Sequence, residues 1–247
     1  MIDNDLEQLI YIYRRLYFQR GTITNHYRDD SSDVEFWYGK ISTAVGDLFN
    51  SPFKDSYVLC VDESNSEQAW KTDFKFFKKR IIDYFYTGNF KIGNVNLKKI
   101  KAHSGYVKGL SKVWSKFEEQ LLNDKLSKIY LVGNSMGGAV AQLIALLISF
   151  ILPSCECEIV SFNCPRVFNF YGSKIFNAYI PNAYKFRLGN DIVSIIPPGL
   201  FLYGKSGKRF NVNTHFTLNL LSYFIDHGLL FEDERLTKYC KKIKELK

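Results

Sequence analysis

The sequence predicts an α/β fold with a mostly parallel central sheet and helices on both of its faces. Short β-branched and aliphatic runs at 57–61, 128–132, 158–162 and 183–188 have the length and composition of strands. Between them lie stretches with helical spacing. Val107, Leu110, Val113, Trp114, Phe117 and Leu121 form one apolar stripe over 106–122, and 137–152 is almost continuously apolar. Strands alternating with helices need crossover connections, which parallel pairing uses and antiparallel hairpins do not. No repeat, low-complexity block or Pro/Gly/Ser-rich linker interrupts the chain, so residues 1–247 read as one domain.

Taken in order, Leu6, Ile10, Tyr13 and Leu16 predict an amphipathic helix over 4–18, and a second helix is expected over 36–49 after the polar loop at 29–33. Residues 1–50 therefore read as an N-terminal helical extension. The strand at 57–61 leads into an irregular segment, 62–101, rich in aromatics and lysines. After the helix–strand–helix–strand run come a short helix at 172–179 and the strand at 183–188. Gly204-Lys205-Ser206-Gly207 reads as a turn between extended arms at 200–203 and 208–212, and the tail from His215 is expected to be mostly helical.

Composition narrows the function classes. Of the 247 residues 46% are hydrophobic and 16% aromatic, ample for a packed core, so wholesale disorder is excluded. The formal net charge of +8 is compatible with nucleic acid, an anionic membrane surface or simple solubility, and no nucleic-acid-binding motif accompanies it. Five cysteines form no CxxC pair and no zinc spacing, as expected of reduced thiols in an intracellular protein. The first twenty residues lack an unbroken apolar stretch of signal-peptide type. The longest apolar run, 139–152, contains Gln142 and is too short to span a bilayer. A cytoplasmic protein, at most peripheral to membranes, is expected, with no metal and no organic cofactor.

At the joint between the strand at 128–132 and the helix at 137–152 stands Gly133-Asn134-Ser135-Met136-Gly137, a match to G-x-S-x-G. A serine in so tight a strand-to-helix turn adopts strained dihedrals, and only small neighbours let strand and helix approach closely. That strain lifts the hydroxyl to the carboxyl edge of the sheet, while the following N–H, that of Met136, points from a helix N-terminus toward a developing oxyanion. The surroundings are those the motif requires: a strand directly before it and an apolar helix directly after.

The run Gly133–Leu146, GNSMGGAVAQLIAL, resembles the GHSLGGALA stretch of class 3 (fungal-type) lipases, α/β-hydrolases that cleave acylglycerol esters. Three further segments match in the family's order. VDESNSEQAWKTDF at 61–74 is similar to FRGT…DWxxDL, HSGY at 103–106 to HxGF, and FNCPRVFN at 162–169 to FGxPRVGN. The resemblance covers about residues 55 to 232. It implies the α/β-hydrolase fold and a serine esterase acting through an acyl-enzyme.

A serine hydroxyl is inert near neutral pH unless an imidazole takes its proton and a carboxylate orients that imidazole. In α/β-hydrolases both follow the serine in the chain. Asp191, in Gly189-Asn190-Asp191 just past the strand at 183–188, is the candidate acid, and its surroundings resemble the family's RxxNxxDxVPxxPP block. Glu156, Glu158 and Asp226 are poorer candidates. Two histidines are available as base. His227, in Asp226-His227-Gly228, resembles the family's DHSxxxY pattern and is preferred; His215 is the alternative. His26 and His103 precede the serine, and His103 reads as a structural residue.

By the resemblance, the second oxyanion donor is Ser64, beside Met136. Where the family carries Arg-Gly before that position, this chain has Asp62-Glu63. Two carboxylates near a developing anion oppose catalysis, and the departure supports an alternative: a weak or inactive lipase-like module that binds lipid or a partner. Residues 74–101 hold much of the positive charge among aromatics. They form a candidate lid or membrane-contact insertion suited to an anionic interface.

Overall fold

The computed structural model describes residues 23, 25–29, 34–40, 56–62, 77–85, 93–188, 191 and 193–212. In chain order the strands are β1 (Asn25–Arg28), β2 (Glu35–Lys40), β3 (Tyr57–Val61), β4 (Lys78–Arg80), β5 (Lys101–His103), β6 (Lys128–Asn134), β7 (Glu156–Phe162), β8 (Asn182–Leu188) and β9 (Lys208–Val212). The helices are α1 (Ile82–Phe85), α2 (Ser104–Asp124), α3 (Ser135–Ile151) and α4 (Phe170–Tyr179). Among the described residues seven strands form the central sheet in the order β1-β2-β3-β6-β7-β8-β9, parallel from β3 to β9 and antiparallel at β1-β2-β3.

The parallel part follows from its connections. β6 and β7 are joined through α3, and β7 and β8 through α4, crossovers that carry the chain back to the same end of the sheet. Leu59, Val61, Ile129, Leu131 and Ile159 on one sheet face join the buried stripe of α2 and the wholly buried α3 in one apolar cluster. On the opposite face Val58, Val132, Val160 and Phe186 are buried as well, and Phe162, Phe186 and Phe210 stack across β7, β8 and β9 with ring centroids 5.8 and 5.3 Å apart. Among the described residues no helix is long and apolar enough to cross a membrane.

Two local expectations need correction. The helix expected over 36–49 is strand where it is described, because residues 35–40 belong to β2. Its burial has the two-residue period of a strand: Phe36 and Tyr38 are fully buried, while Glu35 and Trp37 are half-buried and Trp37 stacks on His26 of β1 at 4.7 Å. Aromatic residues favour such pleated, half-buried surfaces. With β1 and β2 in the main sheet, residues 1–50 are not a purely helical extension; the helix expected over 4–18 lies outside the described residues.

The arms 200–203 and 208–212 do not pair with each other. Residues Gly199–Phe201 form a 3-10 turn, Tyr203 makes an isolated bridge to Asn169, and β9 pairs parallel with β8. Gly204 allows this route, since a Cβ there would lie 2.5 Å from Ser173 Oγ on α4.

The described parts of the segment read as irregular, 62–101, hold β4 and α1 and lead into β5, which pairs with β4 in a second sheet. Ile81, Phe85 and Ile100 are fully buried against α2, so the described parts of 74–101 are anchored in the core. Their outer surface carries Phe77, which is 75% exposed.

Candidate active site

The corner between β6 and α3 is walled by backbone. A Cβ on Gly133 would lie 2.4 Å from the Gly137 carbonyl carbon, and one on Gly137 would lie 2.4 Å from the Val61 oxygen and 2.8 Å from that of Asp62. Glycine at both positions lets α3 start against the ends of β6 and β3. Ser135, between them, takes φ +49°, the left-handed region that costs a non-glycine residue about 1–3 kcal/mol. This is the strained corner the sequence predicts.

Asn134 precedes α3 in extended conformation and its side chain does not cap the helix. The first-turn amides, that of Met136 among them, therefore lie at the positive end of a 17-residue helix without that cap. The close approach of Gly137 to Val61 and Asp62 brings the chain leaving β3 directly beside this helix end. Glu63 and Ser64 follow and lie outside the described residues.

Asp191 is fully buried three residues beyond the end of β8. Its Oδ1 accepts the N–H of Val193 and its Oδ2 that of Ser194, each at 3.0 Å, which fixes the carboxylate plane. Asn134, Phe162 and Phe186 are level across β6, β7 and β8. Ser135 and Asp191 thus both follow strand ends at the same edge of the sheet, on strands two apart.

The base candidates, His215 and His227, lie outside the described residues. What precedes them is described: β9 runs parallel to β8 with Leu188 level with Val212, so the chain leaves the sheet at the edge that holds Ser135 and Asp191. His103 is the N-cap residue of α2. It is fully buried, caps α2 by accepting the Gly105 N–H at Nδ1 (3.3 Å) and packs on Tyr106 at 4.3 Å, in keeping with a structural role. Glu156 and Glu158 both contact Lys128 across the opposite end of the sheet.

Sequence reasoning assigned nothing to the residues around the acid. Arg187 Nε donates to the Asp191 carbonyl at 3.1 Å, Ser194 Oγ to the same oxygen at 3.0 Å, and Arg209 Nη2 to the Ser194 carbonyl at 2.8 Å. Lys185, buried beside Cys164, donates to the Pro165 carbonyl at 3.1 Å. Burial pushes the Lys185 ammonium below the ordinary lysine value, and burial likewise pushes the Cys164 thiol up.

The sequence model of the family described as Lipase (class 3) matches residues 58–201. Solved lipases share the fold. The lipase from Rhizopus microsporus var. chinensis superimposes with a TM-score of 0.63 at 17% identity, covering 86% of this chain and 76% of that one. Lipase II from Rhizopus niveus gives 0.65 at 17%, over 85% and 81%. A triacylglycerol lipase from Penicillium expansum gives 0.59 at 12%, over 84% and 79%. No curated protein matches the sequence.

Proposed function

Because the chain belongs to the class 3 lipases and is by that membership a carboxylic ester hydrolase of lipid esters, we propose that Ser135, His227 and Asp191 form its catalytic triad. Ser135 Oγ attacks the acyl carbonyl as its proton passes to His227. The tetrahedral oxyanion is held by the N–H groups of Met136 and Ser64. Collapse expels the alcohol, which takes the proton from the imidazolium and leaves an acyl-enzyme. Water then gives its proton to His227, attacks the acyl carbon, and releases the carboxylic acid as Ser135 recovers its proton. Asp191 orients the imidazole throughout.

The observation that carries this reading is the left-handed φ of Ser135 at a glycine-walled corner, a strain that packing alone has no use for. Ser135 is 6% exposed. The test is turnover of a soluble nitrophenyl ester. Wild type should show a burst of one equivalent of nitrophenol followed by steady release, and Ser135→Ala should show neither; equal turnover by both removes the serine from the reaction.

The lipid-facing surface, in this reading, joins the segment 74–101 to the 3-10 turn at 199–201. Phe77, Leu200, Phe201 and Leu202 are 75%, 87%, 45% and 63% exposed. Lys78 donates to the Phe201 carbonyl and lies over the Tyr203 ring, whose hydroxyl donates to the Phe77 carbonyl, so these residues occupy one patch. Lys79 and Arg80 extend it. Apolar side chains beside cations fit an anionic lipid surface. The four described cysteines are buried thiols, as suits a reducing intracellular setting.

A further inference from the structure

The turn that carries Asp191 is tied to the sheet by two guanidinium groups. Arg187, on β8, donates to the Asp191 carbonyl at 3.1 Å. Arg209, on β9, donates to the carbonyl of Ser194 at 2.8 Å, and Ser194 in turn donates its hydroxyl to the Asp191 carbonyl and its N–H to Oδ2. The acid is thus held from two adjacent strands through its backbone, while its carboxylate is held by Val193 and Ser194.

Stability alone does not account for this arrangement. Arg209 is partly buried and Lys185, its partner in the β8-β9 register, is 5% exposed. Burial first, then Arg166 and Arg187, pushes Arg209 below its ordinary value, while the Asp191 carboxylate opposes that shift. The charged and titratable groups facing one another here are Arg187 and Lys185 on β8, Arg209 on β9, Arg166 and Cys164 in the loop after β7, and Asp191 itself. Gathering cations in a partly buried place costs Coulomb energy that an apolar packing would not. Its return lies in holding the backbone that carries the acid.

We infer that Arg187 and Arg209 are positioning residues for Asp191, fixing the backbone that presents its carboxylate. This rests on the reading of Asp191 as the triad acid.

The experiment compares full-length wild type, Arg209→Gln, Arg209→Lys, Arg187→Gln and Asp191→Asn on a soluble ester, reading kcat, KM and Tm. Arg209→Gln should lose about tenfold or more in kcat with KM within about threefold. Arg209→Lys, which keeps a cationic donor, should recover part of kcat. Arg187→Gln should lower kcat in the same way. An Arg209→Gln enzyme with wild-type kcat overturns the proposal, as does an Arg209→Lys enzyme no more active than Arg209→Gln at the same Tm. Asp191→Asn separates the two readings. If it is inactive beside an unaltered Arg209→Gln, the clamp alone fails; if it turns over normally, the assignment of the acid fails first. Should Arg209→Gln not fold, Ser194→Ala, which deletes one bond to the Asp191 carbonyl, decides by the same kcat and KM readings.

Discussion

Gly137 meets Val61 so closely that a methyl group on its Cα would lie 2.4 Å from the Val61 carbonyl oxygen. The neighbour is backbone at the end of a central strand and cannot swing aside. Gly137→Ala should therefore push α3 off β3, lower stability by about 1–3 kcal/mol and abolish ester turnover by displacing Ser135 and Met136. Gly93→Ala is the control, since nothing lies within 4 Å of a Cβ there, and its stability should stay within about 0.5 kcal/mol of wild type. Equal denaturation midpoints for both variants would refute the packing argument.

The parallel run of β9 beside β8 sends the chain out at the edge shared by Ser135 and Asp191, which suits a base delivered from the residues that follow. His227→Ala should lower kcat on a soluble ester by about a thousandfold or more, and His215→Ala by no more than a few-fold. The reverse ranking would make His215 the base.

Much of this arrangement was legible because it is local. The strand at 57–61 matches β3, and the strand–helix pair around Ser135 matches β6 and α3, since a short aliphatic run, two glycines and a long apolar run admit few other geometries. β2 was not legible: Phe36-Trp37-Tyr38 leads into an apolar stretch that also satisfies helical spacing, and only its pairing with β1 and β3 decides. The same holds for 200–203. Its extended composition suggests a hairpin, yet β9 finds a better partner in β8, where Phe210 stacks on Phe186. Asp191 was visible through its turn and motif, whereas the Arg209 contact was not, because residues 194 and 209 meet only after the sheet closes around them.

The patch at Phe77 and Leu200 gives a prediction at the membrane. Phe77→Ser with Leu200→Ser should reduce co-sedimentation with phosphatidylserine-containing vesicles about tenfold or more, each exposed apolar side chain contributing on the order of 1 kcal/mol when it enters lipid. Turnover of a soluble ester should be unchanged. Binding of the double variant equal to wild type at low salt would dismiss this surface.

Lys185 gives a prediction in pH. Its folded-state value is lowered by burial, while the unfolded chain keeps the proton up to the ordinary 10.5. Between the two values the unfolded state binds more protons, so this lysine makes the fold more stable as pH rises. Relative to Lys185→Met, wild type should gain in denaturant midpoint as pH rises toward 10.5. Parallel midpoints across that range would mean that the ammonium is not held in an unfavourable place.

The central claim is that Ser135 is an activated nucleophile, and covalent labelling with a fluorophosphonate reads it most directly. Digestion and mass spectrometry of the labelled protein should place one phosphonyl group on the peptide containing Ser135, with none on Ser135→Ala and strongly slowed labelling of His227→Ala. A wild-type chain that stays unlabelled while correctly folded, or labels equally well without Ser135, would contradict the account.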